Sequence, residues 1–203
     1  MPVRTLSIDG SAGVSADRLL NGLVGLGVPK RRLNDAWAKL SFSLSRKPQP
    51  ALSLFQQLAT SRLSLPVKRF SIRILEQLTL AESKVHRVPL NRLVLHQVSR
   101  PEAIRNLVGF SEGLTFLKVQ RLRVSPLLLG SRYQDHGKAW KNRPGPAVLQ
   151  LTRGWPVWLS NDRVEYTTPS GAAMVTALAE STCGTSFGFR RVVARSSGGA
   201  RRF

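Results

Sequence analysis

Residues 66–86 place the strongest constraint on how this chain folds. Phe70, Ile74, Leu78, Ala81 and Val85 recur at steps of four, four, three and four, which puts them on one face of a helix. Arg69, Arg73, Glu76, Gln77 and Lys84 take the other side. A stripe of that length has to be buried against other elements, so the chain must supply packing partners for it. The N-terminal stretch offers some. Residues 4–8 read as a short strand and residues 9–17 as a loop of small residues, while Leu19, Leu20, Leu23, Val24 and Leu26 form the apolar face of a helix over 18–26. Gly27 suits the left-handed residue that ends such a helix, and Pro29 follows it.

The remaining segments are shorter. Residues 30–50 read as a variable basic connector, with Lys47-Pro48-Gln49-Pro50 an irregular link. Leu52, Leu54, Phe55, Leu58 and Ala59 predict a short helix ahead of the long one. After a β-prone run over 92–98, Ser99 and Glu102 stand at capping-box spacing and predict a helix start. That helix carries Ile104, Leu107, Val108 and Phe110 inward until Gly109 and Gly113 loosen it. Residues 117–124 predict a strand that 125–130 closes, and 134–146 an ordered loop rich in Gly and Pro. Short extended stretches are expected at 149–152, 157–159 and 164–166. Thr168 as N-cap and Pro169 at the first helical position predict a last helix over 172–180. The expected class is α/β, with α+β as the alternative: a mixed sheet with flanking helices in a single compact domain over 1–194, and a flexible basic tail over 195–203.

Composition narrows the functional classes. No run approaches eighteen apolar residues, and Met1-Pro2-Val3-Arg4 lacks a signal peptide's apolar segment, so a cytoplasmic protein without a membrane partner is expected. The single Cys183 excludes an internal disulfide and a thiolate zinc site. The charge is unusual: 31 Lys plus Arg against 11 Asp plus Glu gives +20. Such an excess attracts polyanions and makes nucleic acid a possible partner, although the arginines are scattered from Arg4 to Arg202 without interleaved aromatics.

Few constellations carry chemistry by themselves. The loop with Gly10 and Gly13 is able to offer amides to an anion, but it matches neither the dinucleotide fingerprint nor a P-loop, and a plain strand-to-helix turn explains it equally. The histidines, His86, His96 and His136, do not pair with one another at helical ligand spacing. Any metal site has to be assembled from separate segments. Glu82 and His86 are four apart on the long helix, where a carboxylate orients the imidazole or simply pairs with it at the surface.

Taken in order, several segments resemble the LarC family of nickel-insertion proteins, which act in making the nickel-pincer nucleotide cofactor of lactate racemase. Residues 9–17 with Leu19 to Pro29 are similar to the family's opening loop and helix. Ala81-Glu82-Ser83-Lys84-Val85-His86 is similar to its Ala-Glu-Ala-x-Val-His helix, and Ser125 to Ser131, His136-Gly137, Pro144 to Ala147 and Thr168 to Ala173 resemble later blocks. The resemblance implies a CTP-dependent nickel cyclometallase. It implies nickel ligands at His86, His96, His136 and Glu82, and a cofactor-binding region at Asp9, Ser11, Gly13, Asp17, Thr168, Ser170 and Gly171. It also implies a nucleotide substrate, and a partner chain for the family's C-terminal half, with which CTP and Mg²⁺ enter. The departures are specific: the family's His-x-His-Glu reads Val94-Leu95-His96-Gln97, and its loop glycine before the second Asp is Ala16. A basic nucleic-acid or ribonucleoprotein binder on a decayed metallochaperone scaffold is the alternative.

Overall fold

A computed structural model describes residues 3–40, 48–95, 101–131, 133–134, 140–141 and 144–181. The chain begins with the expected strand, loop and helix. β1 (Thr5–Ile8) leads through residues 9–15 into α1 (Ala16–Gly25), where the Ser15 hydroxyl caps the helix by accepting from the Arg18 amide. Gly27 takes the left-handed conformation, φ +98°, just past the helix end.

The connector expected from residue 30 is a helix at its start, α2 (Lys30–Ala38). Its three leading cations conceal a short apolar face of Leu33 and Ala36, which is buried, with α2 packed on α5 (Pro101–Phe116). Arg32 adds to the contact, reaching Glu112 at 2.7 Å with its guanidinium 5.5 Å from the Phe116 ring centre. The link at Gln49–Pro50 forms β2, paired antiparallel with β3 (Val94–Leu95). α3 (Ala51–Thr60) and α4 (Leu65–His86) fall where periodicity puts them. α4 buries more than one stripe: besides Ile74, Leu78 and Ala81, it buries Val67, Ser71, Leu75 and Thr79. The reason is that α3, α5, α6 (Pro146–Leu151) and α7 (Pro169–Thr176) all pack on it.

α5 does not loosen at its glycines. A Cβ on Gly113 would stand 2.6 Å from a Leu23 methyl, so the glycines let α1 approach the unbroken helix. Between the helices, the Ser71 hydroxyl donates to Ser111 at 3.1 Å, and Ser111 donates to the Leu107 carbonyl. The strand expected over 117–124 shortens to β4 (Arg121–Val124), because α5 runs to Phe116 and Lys118 turns the chain at φ +54°. Residues 125–130 do not merely close it; they contain β5 (Leu127–Leu129). β6 (Tyr133–Gln134) and β7 (Trp140–Lys141) form an antiparallel pair within the expected loop. The stretch 149–152 is not extended: α6 holds it, with Pro146 in the first helical turn and Val148 and Leu151 buried on one face. Residues 164–166 form no strand. β8 (Val157–Leu159) appears as expected, and α7 ends at Thr176, before β9 (Glu180–Ser181).

The architecture is α/β. β1, β4 and β9 make a parallel sheet in the order β1-β4-β9, with Leu122 and Val124 of β4 buried and Arg121 and Arg123 exposed. β5 and β8 form a second parallel pair. Parallel and antiparallel pairings therefore both occur. Among the described residues, no helix is long and apolar enough to cross a membrane. Ser99 of the expected capping box and the tail over 195–203 lie outside the described residues.

Candidate functional site

The loop after β1 is tied down by side chains and backbone from three other segments. Asp9 accepts from the Ser11 amide at 2.9 Å, closing a local turn, and from the Ser125 hydroxyl at 3.3 Å. Ser125 in turn accepts from the Gly10 amide at 2.8 Å. The Gly10 carbonyl accepts from both Gly13 and Leu128, each at 2.9 Å. Gly13 has φ +75°, and a Cβ there would lie 2.3 Å from the Tyr166 carbonyl oxygen, so only glycine fits.

The second small-residue segment locks into the first. Thr167 accepts from the Val14 amide at 3.2 Å and donates to the Leu128 carbonyl at 2.7 Å, while the Thr168 amide donates to the Val14 carbonyl at 3.0 Å. Thr168 caps α7 as expected, accepting from the Gly171 amide at 3.2 Å and sharing a hydrogen bond with the Ser170 hydroxyl at 3.3 Å. At Gly171 a Cβ would stand 2.4 Å from the Val14 carbonyl oxygen. The structure thus brings Asp9, Ser11 and Gly13 together with Thr168, Ser170 and Gly171. Asp17 stands exposed in the first turn of α1.

Sequence reasoning missed a polar cluster beside these loops. Arg18 donates to the Ala12 carbonyl. Asp162 accepts from Ser160 and from the Tyr166 hydroxyl, each at 2.7 Å. The Ser160 and Tyr166 hydrogen bonds hold the Asp162 carboxyl below its ordinary value, and the same bond to Asp162 raises the Tyr166 phenol. Glu165, half-buried, is raised by desolvation. Spacing along the chain does not reveal this group, because Ser160 to Tyr166 is brought beside the loop by long-range packing, Tyr166 against Gly13 and Val164 against Gly130.

The candidate metal residues divide differently. At the end of α4, His86 Nε2 lies 3.1 Å from Glu82 Oε2, with side chains 39% and 19% exposed. His96 and His136 lie outside the described residues. Among the described residues, no three His, Cys, Asp or Glu side chains gather closely enough to hold a metal ion. An imidazole and a carboxylate are a reasonable pair of donors for a borderline divalent ion, and two further ligands would have to come from elsewhere.

The family described as nickel insertion protein matches residues 45–199, a stretch that holds all three histidines and the Thr168–Gly171 turn. The chain belongs to the nickel insertion protein family. The provisionally named nickel insertion proteins of Syntrophobacter fumaroxidans and of Synechococcus sp. strain JA-3-3Ab are 32% and 33% identical to it, over 88% and 85% of this chain and 52% and 50% of their own lengths. That of Geotalea daltonii is 30% identical, over 92% of this chain and 53% of its own length. The chain spans about half the length of the curated relatives it matches. No solved structure matches it.

Proposed function

We propose that this chain acts in nickel insertion in the cytoplasm, as the N-terminal half of a machine that delivers Ni²⁺ to a pyridinium mononucleotide and so makes a nickel-pincer nucleotide. Nickel is cargo in this reading. Glu82 and His86 receive it, His96 and His136 complete the donor set, and the interlocked loops over 9–17 and 168–171 face the phosphorylated substrate. The observation that carries the reading is the family match across all three histidines, together with the accessible Glu82–His86 pair at one of them.

A half-exposed pair suits transient custody. A metal handed onward must be held by few protein ligands, so that the acceptor's own donors can displace them. Hard carboxylate and borderline imidazole donors bind Ni²⁺ less tightly than a thiolate cage would, and the loss of two donor residues at Val94 and Gln97 loosens the site further. CTP and Mg²⁺ belong in this scheme to the other half of the family's length, present as further sequence or as a partner chain.

Titrating Ni²⁺ into the chain calorimetrically at low salt tests the reading. Saturable binding that His96→Ala abolishes is the expected result, and the absence of saturable binding overturns the metal role. The net charge of +20 carries a second reading, a polyanion partner. Filter binding to RNA across a salt series decides it: a steep log-log slope supports nucleic-acid contact, and negligible binding at physiological salt removes it.

A further inference from the structure

The strand β8 is exposed to an unusual degree. Val157, Trp158 and Leu159 are 37%, 49% and 72% exposed, and Val164, which follows the Ser160–Asp162 turn, is 47% exposed. Trp155 to Asn161 carry no charge in a chain of net charge +20. A strand open on both faces with only apolar side chains is a contact surface and a poor solvent boundary.

Its backbone points the same way. β8 pairs with β5 alone among the described residues. The Pro156 carbonyl accepts from Leu127 and the Ser160 amide donates to Leu129, at 3.1 and 2.9 Å. Residues 156, 158 and 160 therefore address β5, and by strand alternation the amides and carbonyls of Val157 and Leu159 face outward. On the far side of β5, the Leu128 amide donates to Gly10 of the candidate loop. A strand added outside β8 would lie three strand spacings, about 14 Å, from that loop.

We propose that β8 is the docking edge for the other half of a nickel insertion protein's length, whether further sequence or a partner chain, which adds a strand along Val157–Leu159 and covers Trp158 and Val164. This rests on the nickel-insertion reading above. The relatives supply the occupant, since they are about twice as long and, on the reading above, their additional half acts with CTP at the same loop. A second copy fits less well, because each chain brings a net charge of +20 to the contact.

The test mixes the chain with the unmatched half of the Syntrophobacter fumaroxidans relative, expressed as a separate polypeptide and first shown by a cooperative thermal melt to be folded. A one-to-one complex is expected, with amide exchange at Val157 and Leu159 slowed and affinity reduced at least tenfold by Leu159→Lys or Val157→Lys; at Leu159 the side chain is already largely in solvent and the fold is undisturbed. A complex that both variants form unchanged, without amide protection, overturns the assignment of this edge. So does self-association that Leu159→Lys abolishes, which would make a second copy the occupant. If no complex forms while the chain still binds Ni²⁺, the docking inference fails and the nickel reading stands.

Discussion

The loop after β1 and the C-terminal end of α4 both carry candidate functional residues, and they are built in opposite ways. In the loop, Asp9, Gly10 and Val14 are each held by hydrogen bonds with Ser125, Leu128, Thr167 or Thr168, and Gly13 bonds back to Gly10 and packs against the Tyr166 backbone. At the end of α4, Glu82 and His86 meet each other at a half-exposed surface. Residue identity in the loop is therefore dictated by the backbone, whatever the loop binds. The α4 pair sits at a helix end with its side chains 39% and 19% exposed, so its chemistry is less tied to the backbone than the loop's.

Gly13→Ala should break the first half of that contrast most forcefully. An L-residue at φ +75° costs about 1–2 kcal/mol, and the added Cβ meets the Tyr166 backbone at 2.3 Å, so a total loss on the order of 3 kcal/mol is expected. Urea unfolding measures it, and an unchanged midpoint would show that the loop is not pinned. Thr167→Val should have the next largest effect. It leaves the Val14 amide and Leu128 carbonyl without the hydroxyl they share, at a cost of about 1–3 kcal/mol, with the valine filling nearly the same volume. If Thr167→Val proves neutral, the two small-residue segments are held together by shape alone.

These two loops were partly legible beforehand. Small residues flanked by a strand and a helix marked the first, and Thr168-Pro169 marked the cap of the second. Their junction is not legible, because it depends on Tyr166 and Thr167, which carry no local signal and meet Gly13 and Val14 from more than a hundred residues away. Long-range packing also explains the misread helices. Gly113 would weaken an isolated helix, yet in α5 it admits Leu23, and the cations at the head of α2 hid Leu33 and Ala36 from a composition-based reading. For the metal residues, helical spacing marks the Glu82–His86 pair, while whether His86, His96 and His136 meet is not something that spacing encodes.

The second half of the contrast is tested by Glu82→Gln and His86→Ala. Each should change stability by no more than about 0.5 kcal/mol, as expected for a surface pair one helical turn apart. Each should lower nickel affinity on the order of tenfold, measured by the same titration. A large stability loss with unchanged nickel binding would reverse the assignment and make the pair a helix-end contact.

The smallest effect separates two carboxylates three residues apart beside the loop. Asp162 is held below its ordinary value by Ser160 and Tyr166, so its contribution to stability is present above that value and lost as pH falls through the folded one. Glu165 runs the other way. Burial raises it above its ordinary value of 4.5, so the folded chain keeps a proton that the unfolded chain releases, and stability declines as pH rises through that interval. Above its folded value the folded state carries the full cost of an ionised, half-buried carboxylate. Glu165→Gln should consequently raise the thermal midpoint at pH 7, with the gain shrinking to nothing as pH falls below the ordinary carboxylate range. A gain independent of pH would trace to packing, and would show that the face of the loop near Tyr166 is more open to water than the burial of Glu165 implies.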